Sequence, residues 1–494
     1  MKKIIFTALL SASIYVNAQQ NTLLSTNFWK SSPDITAVQS EIAKGNNPAE
    51  LNPMAFDPVV LAINNDAKAE VVKFLIEQPG NGVNKSTHDS RIYLHWAASK
   101  GNVELVEYLI SKGSDLNLED SHGITPIVFA AGNAQTNTKI YDAFFKSGID
   151  PKKKYKDGSN LLLLSIANDK DFLLTGYLVS KGLSLKDVDN NGNTAFDYAA
   201  RTGNVAVLKA LLEKGVKHTD NALLTAAQGS RRSANTIEVY QYLVDGLKIK
   251  PAVVTPNGQS VLHFLARKDK QLEIVKYFMA KGVDPNKADA DGTTALMNAS
   301  AGKDLELLQT LLPKVKNINA VNKKGESALT QAVKNSPAEV VILLLNYGAD
   351  IKVSDKDGNN LAYHLVDSYK APRAVATQKD EFGAKLMLLQ EKRINLAAPQ
   401  KNGNTSYHVA IIKNDLSLLK KLASFNIDIN SKNNEGLTVL HKAAMISKDD
   451  AILKYLLALG AKKDSKSEFG ETAYDLAKEN ELLKTNNISV EFLK

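Results

Sequence analysis

The chain has 494 residues, 44% of them apolar and 23% charged, with no cysteine and a formal net charge of +8. That composition is typical of a folded protein and excludes long disorder. The missing thiols exclude disulfide staples, cysteine nucleophiles and a lipid carried on cysteine. A charge of this size over so long a chain is a mild basic bias that does not by itself point to nucleic acid.

Met1 to Ala18 reads as a secretory signal: Lys2 and Lys3, an apolar run from Ile4 to Val16, then a small-residue cleavage site at Val16-Asn17-Ala18. Removal leaves a chain that starts at Gln19 and carries +6. The competing expectation is a retained membrane anchor, which the short stretch broken by Thr7, Ser11 and Ser13 disfavours. No later segment approaches transmembrane length. An exported chain without thiols fits a bacterial periplasm best, with secretion beyond the cell as the alternative.

Residues 19–52 are expected to form an N-terminal helical cap, with short helices over Leu23 to Lys30 and Ile35 to Lys44 and Trp29 as an apolar anchor. From Pro53 onward a marker glycine recurs, at Gly123, Gly158, Gly192, Gly258, Gly292, Gly325, Gly358, Gly403, Gly436 and Gly470. Most steps are 33 to 35 residues; the step of 66 holds two units, and the step of 45 holds one longer unit. Each glycine is followed by a small or hydroxyl residue and an apolar helix start. The frame is clearest at Tyr93-Leu94-His95-Trp96-Ala97-Ala98, then Gly101-Asn102, a second helix, and Gly113-Ser114-Asp115.

That segment resembles the ankyrin repeat, and Thr194-Ala195-Phe196, Ser260-Val261-Leu262-His263 and Thr438-Val439-Leu440-His441 return the same frame. The resemblance implies an all-α repeat solenoid of stacked helix-turn-helix units with β-hairpin or turn fingers. Residues 53–494 would hold about thirteen units, the last, from Glu468, serving as a C-terminal cap. Two units depart: the one near His218 lacks its glycine hairpin and gains Ser230 to Asn235 with Arg231 and Arg232, and the long one holds its surplus at Ser368 to Phe382.

No phosphate-cradling glycine loop, G-x-S-x-G elbow or H-E-x-x-H occurs. Acid pairs such as Asp449-Asp450 and Asp187-Asp189 fall at loops or helix starts, where capping is the default. His95, His263, His408 and His441 occupy the histidine slot, which the resemblance makes structural, with the ring bonding to backbone and tying units together. His88, His122, His218 and His364 are scattered and suggest no cluster. No catalytic residue, metal or cofactor is expected.

Two surfaces remain. The residue after the histidine slot should face the concave side and reads Trp96, Phe129, Leu164, Tyr198, Thr225, Phe264, Asn298, Gln331, His364, Val409 and Lys442. Its aromatic half either presents hot spots to a protein or packs between neighbours. Basic finger tips form the other, led by Lys152, Lys153, Lys154 and Lys156, with Lys323, Lys324, Lys356 and Lys401 beyond. They meet an acidic partner, or they are solvated loop charges.

The expected function is a non-catalytic scaffold in the bacterial periplasm that recognises a protein on its concave face, with no nucleic acid and no transmembrane segment. By analogy, exported bacterial members of the family that accompany catalase-type stress enzymes suggest protection of a partner. A toxin-neutralising or host-directed secreted binder is the first alternative. Weak contact with an anionic surface at the envelope, through the lysine tips, is the second.

Overall fold

The computed structural model describes residues 21–229, 234–371 and 379–494. The leader Met1 to Ala18 therefore lies outside the described residues, as do Arg231 and Arg232 and the middle of the Ser368 to Phe382 insertion. The chain divides into two compact units, Met1–Ala222 and Leu223–Lys494.

The first unit begins with a 3-10 turn at Thr22–Leu24 and the helices Thr26–Lys30 and Ile35–Ala43. Trp29 is fully buried, and its indole N–H donates to Leu23 O at 2.7 Å, which gives the polar edge of this anchor its partner. Five antiparallel helix pairs follow, from Pro58–Asn64 with Ala69–Ile76 to Ala195–Ala199 with Val205–Glu213. Each start is chemically specified. Asp57 accepts the Val60 amide at 2.9 Å beside Pro58, and Asn102 and Asn160 accept the Leu105 and Leu163 amides at 3.0 Å. Between the paired helices Tyr93–Lys100 and Val103–Ser111, Gly101 turns the chain at φ +77°.

The second unit repeats the plan in seven pairs, from Val261–Leu265 with Leu272–Ala280 to Ala473–Glu479 with Glu481–Thr485. One further pair, Asn221–Gln228 and Ile237–Gln241, falls at the division. The long member of the second unit joins Leu361–Asp367 to the eleven-residue helix Glu381–Glu391. Apolar faces are buried within each unit. Leu94, Leu105, Phe144 and Phe196 are wholly inaccessible in the first, and Phe278, Leu308, Leu344 and Leu453 in the second. Truncating such a leucine to alanine costs about 3 kcal/mol, so interior stacking supplies the main stabilisation.

The fingers are turns more than hairpins. Among the described residues the only β pairing is three isolated antiparallel bridges, Val254 with Ser260, Val321 with Ser327 and Ser354 with Asn360. Several neighbouring fingers are joined by a backbone hydrogen bond: Ser121 N to Asp89 O at 2.8 Å, Asn190 N to Asp157 O at 2.9 Å, Lys323 N to Asp291 O at 2.7 Å and Lys356 N to Lys324 O at 2.9 Å. This contact explains Gly325. Its φ is +79°, and a Cβ there would sit 2.7 Å from Lys356 N, so the next finger's backbone occupies the space.

On the second helices a tyrosine and a lysine four residues on clasp one carboxylate of the preceding repeat. Tyr108 and Lys112 hold Glu77 at 3.0 and 3.7 Å, Tyr177 and Lys181 hold Asp142 at 2.5 and 3.2 Å, and Tyr277 and Lys281 hold Asp245 at 2.8 and 2.5 Å. The four-residue spacing puts both donors on one helix face.

Candidate functional site

The histidine slot is structural. In His263, His408 and His441 the Nδ1 accepts the backbone N–H of the cap residue, Ser260, Thr405 or Thr438, at 3.1 to 3.2 Å. An accepting Nδ1 leaves the proton on Nε2. That atom donates into the next finger, to Thr293 O, Leu437 O and Ser465 O at 3.0 Å each. His95 does the same toward Ile124 O at 3.0 Å. Burial holds all four rings below the ordinary imidazole pKa. In the same slot of another repeat, Asp197 accepts from the Thr194 and Thr219 amides at 2.8 and 2.9 Å, and burial raises its pKa.

The position after the slot behaves differently in the two units. In the first, Trp96 is 9% exposed, and its indole N–H donates to Thr87 Oγ1 at 3.0 Å. Its ring meets Phe56 at 5.7 Å and Phe129 at 5.6 Å, both edge to face. Arg91 lies over both Trp96 and Phe129, 5.3 and 4.4 Å from the ring centroids, while its guanidinium grips the buried Asp120 at 2.8 Å and reaches Asp89 at 3.0 Å. The expectation of an exposed aromatic stripe is therefore corrected at Trp96, which packs between neighbours because its ring fills the space under the Arg91 finger. Phe129, Leu164 and Tyr198 are half-buried. The Tyr198 hydroxyl donates to Asp189 at 2.9 Å, and burial raises its pKa.

The scattered histidines also need correcting. His88 and His122 lie in neighbouring fingers at positions one residue out of register, since the repeat step here, from Trp96 to Phe129, is 33 residues. Both place Nε2 3.4 Å from Asp89 Oδ2, the oxygen that Arg91 already holds. No group of three or more acids or histidines among the described residues is arranged to hold a metal ion.

In the second unit the same column opens on the half-buried Phe264 and then turns polar. The Asn298 amide donates to His263 O at 3.0 Å, Gln331 donates to Glu326 at 2.8 Å, and Lys334 pairs with Glu326 at 2.7 Å. His364 is buried 3.2 Å from Asp355, and desolvation lowers its pKa. Val409 is buried, and Lys442 reaches Glu435 at 3.7 Å.

The lysine finger of the first unit is mostly open. Lys152, Lys154 and Lys156 are exposed. Lys153 is half-buried, donates to Asn117 at 2.6 Å and lies 5.7 Å from the Tyr155 ring. In the second unit Lys323 reaches Asp291 at 3.8 Å, and Lys324, Lys356 and Lys401 are exposed. The acid pairs tie down local backbone: Asp187 accepts the Ser184 amide at 3.0 Å and Asp189 the Asn193 amide at 2.8 Å in their loop, and Asp449 accepts the Ala451 amide at 3.0 Å at a helix start. Sequence reasoning missed Arg91 and Asp120. Their signal was a lone arginine at this finger position, five residues before the aromatic slot at Trp96.

The sequence matches the family described as Ankyrin repeats (3 copies) at residues 59–155, 130–222, 262–355, 373–467 and 407–485. Over 166 residues it is 35% identical to Palmitoyltransferase AKR1 of Lachancea kluyveri, a match covering 31% of this chain and 22% of that protein. It is 28% identical over 216 residues to the human Transient receptor potential cation channel subfamily A member 1, covering 42% of this chain and 19% of the channel. It is 30% identical over 132 residues to the Probable 26S proteasome regulatory subunit p28 of Saccharomyces cerevisiae, covering 26% of this chain and 57% of that subunit. The crystal structure of the human ASB11 ankyrin repeat domain aligns with a TM-score of 0.39 and 21% identity over 46% of this chain and 97% of that one. The matches thus span between a fifth and somewhat over half of the curated relatives' own length. No described helix is long and apolar enough to cross a membrane.

Proposed function

The chain belongs to the ankyrin repeat family, and from that premise we propose that it is a non-catalytic scaffold of the bacterial periplasm that recognises a protein partner with its first helices and finger tips. The observation that carries this is the way successive fingers within each unit are tied by backbone hydrogen bonds, as from Asn190 to Asp157 and from Lys323 to Asp291, and, in four repeats, by a histidine bridge. A surface held that way loses little ordering entropy when a partner docks. Phe129, Leu164, Tyr198 and Phe264 offer half-buried apolar edges, and Lys152, Lys154 and Lys156 offer free charge for an acidic rim. Trp96 packs against Phe129, and Lys153 is engaged with Asn117. The transferase named among the relatives is matched over 22% of its length, so its activity is not carried over to this chain.

Export is supported by the pattern of Met1 to Ala18, and the absence of thiols suits an oxidising compartment. Mass spectrometry of the mature protein tests it: an N-terminus at Gln19 in the periplasmic fraction is the expected result. The partner is tested by affinity capture from that fraction, beside a Lys152→Glu, Lys154→Glu, Lys156→Glu variant. A single protein retained by the first and released by the second supports the scaffold reading, and equal retention moves the site away from this finger. The same variant separates the secreted and envelope alternatives, since only surface binding should vanish at high salt on anionic vesicles.

A further inference from the structure

Away from the finger surface, the longest repeat opens a half-open cleft of about 480 Å³ at the C-terminal ends of three successive first helices. One wall is cationic. Lys334 comes from the helix Ala328–Asn335, Lys370 follows Leu361–Asp367, Lys413 follows Ser406–Ile411, and Lys385 rises from Glu381–Glu391. The other wall is apolar, with Leu365, Tyr369 and Phe382 in the lining and the last two rings 5.0 Å apart, edge to face.

Lys385 is the unusual member. It is 6% exposed, and its Nζ donates to Val333 O at 2.8 Å. Among the described residues no carboxylate stands within ion-pair distance of it, whereas Lys334 has Glu326 at 2.7 Å and Lys413 has Asp367 at 3.4 Å. Burial lowers its pKa. Capping the carbonyl end of Ala328–Asn335 accounts for one of its three N–H donors. It leaves unexplained a buried ammonium on a cleft lined by three more lysines, of which Lys334 and Lys413 are each paired with an acid. A charge desolvated in this way is strongly stabilised by an anion brought to it.

We propose that the cleft binds a small organic anion, with its carboxylate, sulfonate or phosphate group among Lys385, Lys413 and Lys370 and its apolar body against Tyr369 and Phe382. The volume suits a ligand of that size, and the mixture of an apolar wall with a few convergent polar groups is that of a small-molecule pocket. The insertion creates the site: this repeat spans 45 residues between marker glycines where most others take 33 to 35, and the surplus lets Glu381–Glu391 carry Lys385 under its neighbour. This ligand is independent of the protein partner proposed above.

The test titrates the full chain with anilinonaphthalene sulfonate by fluorescence, beside the neutral phenylnaphthylamine that lacks the sulfonate. One saturable site is expected, and replacing charged hydrogen-bond donors in Lys370→Gln, Lys413→Gln should weaken it about ten-fold. Lys385→Met should weaken it as much, with the thermal melt checked by circular dichroism. If that variant unfolds, the double variant, which alters more accessible lysines, decides alone. A Lys154→Gln, Lys156→Gln variant on a finger of the first unit should bind as the unaltered chain does. Equal affinity for the neutral compound, unchanged binding in the double variant, equal loss in the finger variant or no saturable site would each overturn the proposal.

Discussion

The slot after the histidine position carries Trp96 and Phe129 in the first unit and Gln331 and His364 in the second, on the same backbone plan. In the first, aromatic rings and the Arg91 guanidinium interlock, and the finger charges Asp89 and Asp120 are consumed inside that stack. In the second, Glu326 and Lys334 form an ion pair and the buried His364 lies beside Asp355, with far less aromatic cover. The repeat therefore fixes where a side chain starts, and the residue's own chemistry decides whether the slot becomes aromatic glue or a polar, ionisable contact. The first unit should resist salt and acid in ways the second does not.

The largest effect that sharpens this contrast is expected from Arg91→Met. It strands the buried Asp120 and should cost about 3 kcal/mol or more in urea unfolding. Trp96→Ala should follow at about 3 kcal/mol, through the cavity left beneath the finger. In the second unit Gly325→Ala should cost at least about 1 kcal/mol, from its positive φ and the Lys356 backbone against it. By comparison Gly123→Ala meets only strain, since the nearest atom to its Cβ is Glu119 Oε2 at 3.7 Å, so it should cost less.

Acid provides the next comparison. His263, His408 and His441 are in the second unit, and their folded pKa values lie below the unfolded one, so the unfolded chain takes up the proton first. Their stabilisation is full above about pH 6.5 and is lost as the pH falls below it. The first unit has only His95 in this slot, and Asp197 there has the opposite sign, because its raised folded pKa adds stability as acid protonates it. Hydrogen exchange, corrected for intrinsic rate, should show the second unit's helices losing more protection at pH 5.5 than the first's; equal loss would break the contrast. The smallest effect is Lys334→Met, about 1 kcal/mol, because Gln331 still donates to the buried Glu326 at 2.8 Å when the more exposed lysine is removed.

The fold was legible because the period, the caps and the turn glycines are local signals. A threonine or serine before an apolar helix and a glycine at a fixed step need no tertiary knowledge. The histidine bridges were legible through the resemblance alone. What stayed hidden depends on two repeats at once. Trp96 looks exposed when its own helix is considered, and only the neighbouring Phe56, Arg91 and Phe129 show it covered. His88 and His122 looked scattered because their meeting needs the register of adjacent fingers. Lys385 drew no notice, since a lysine on an amphipathic helix is ordinarily solvated.

The central claim is that the first helices and fingers form the face that meets a protein. It is tested most directly by a photo-crosslinking amino acid placed at Phe129, on a first helix, and in a second chain at Val179, 44% exposed on the second helix Leu173–Ser180. Irradiation in the cells that produce the protein should give one discrete adduct from position 129 and none from position 179. Adducts from position 179 alone, or the same adduct from both, would contradict the account.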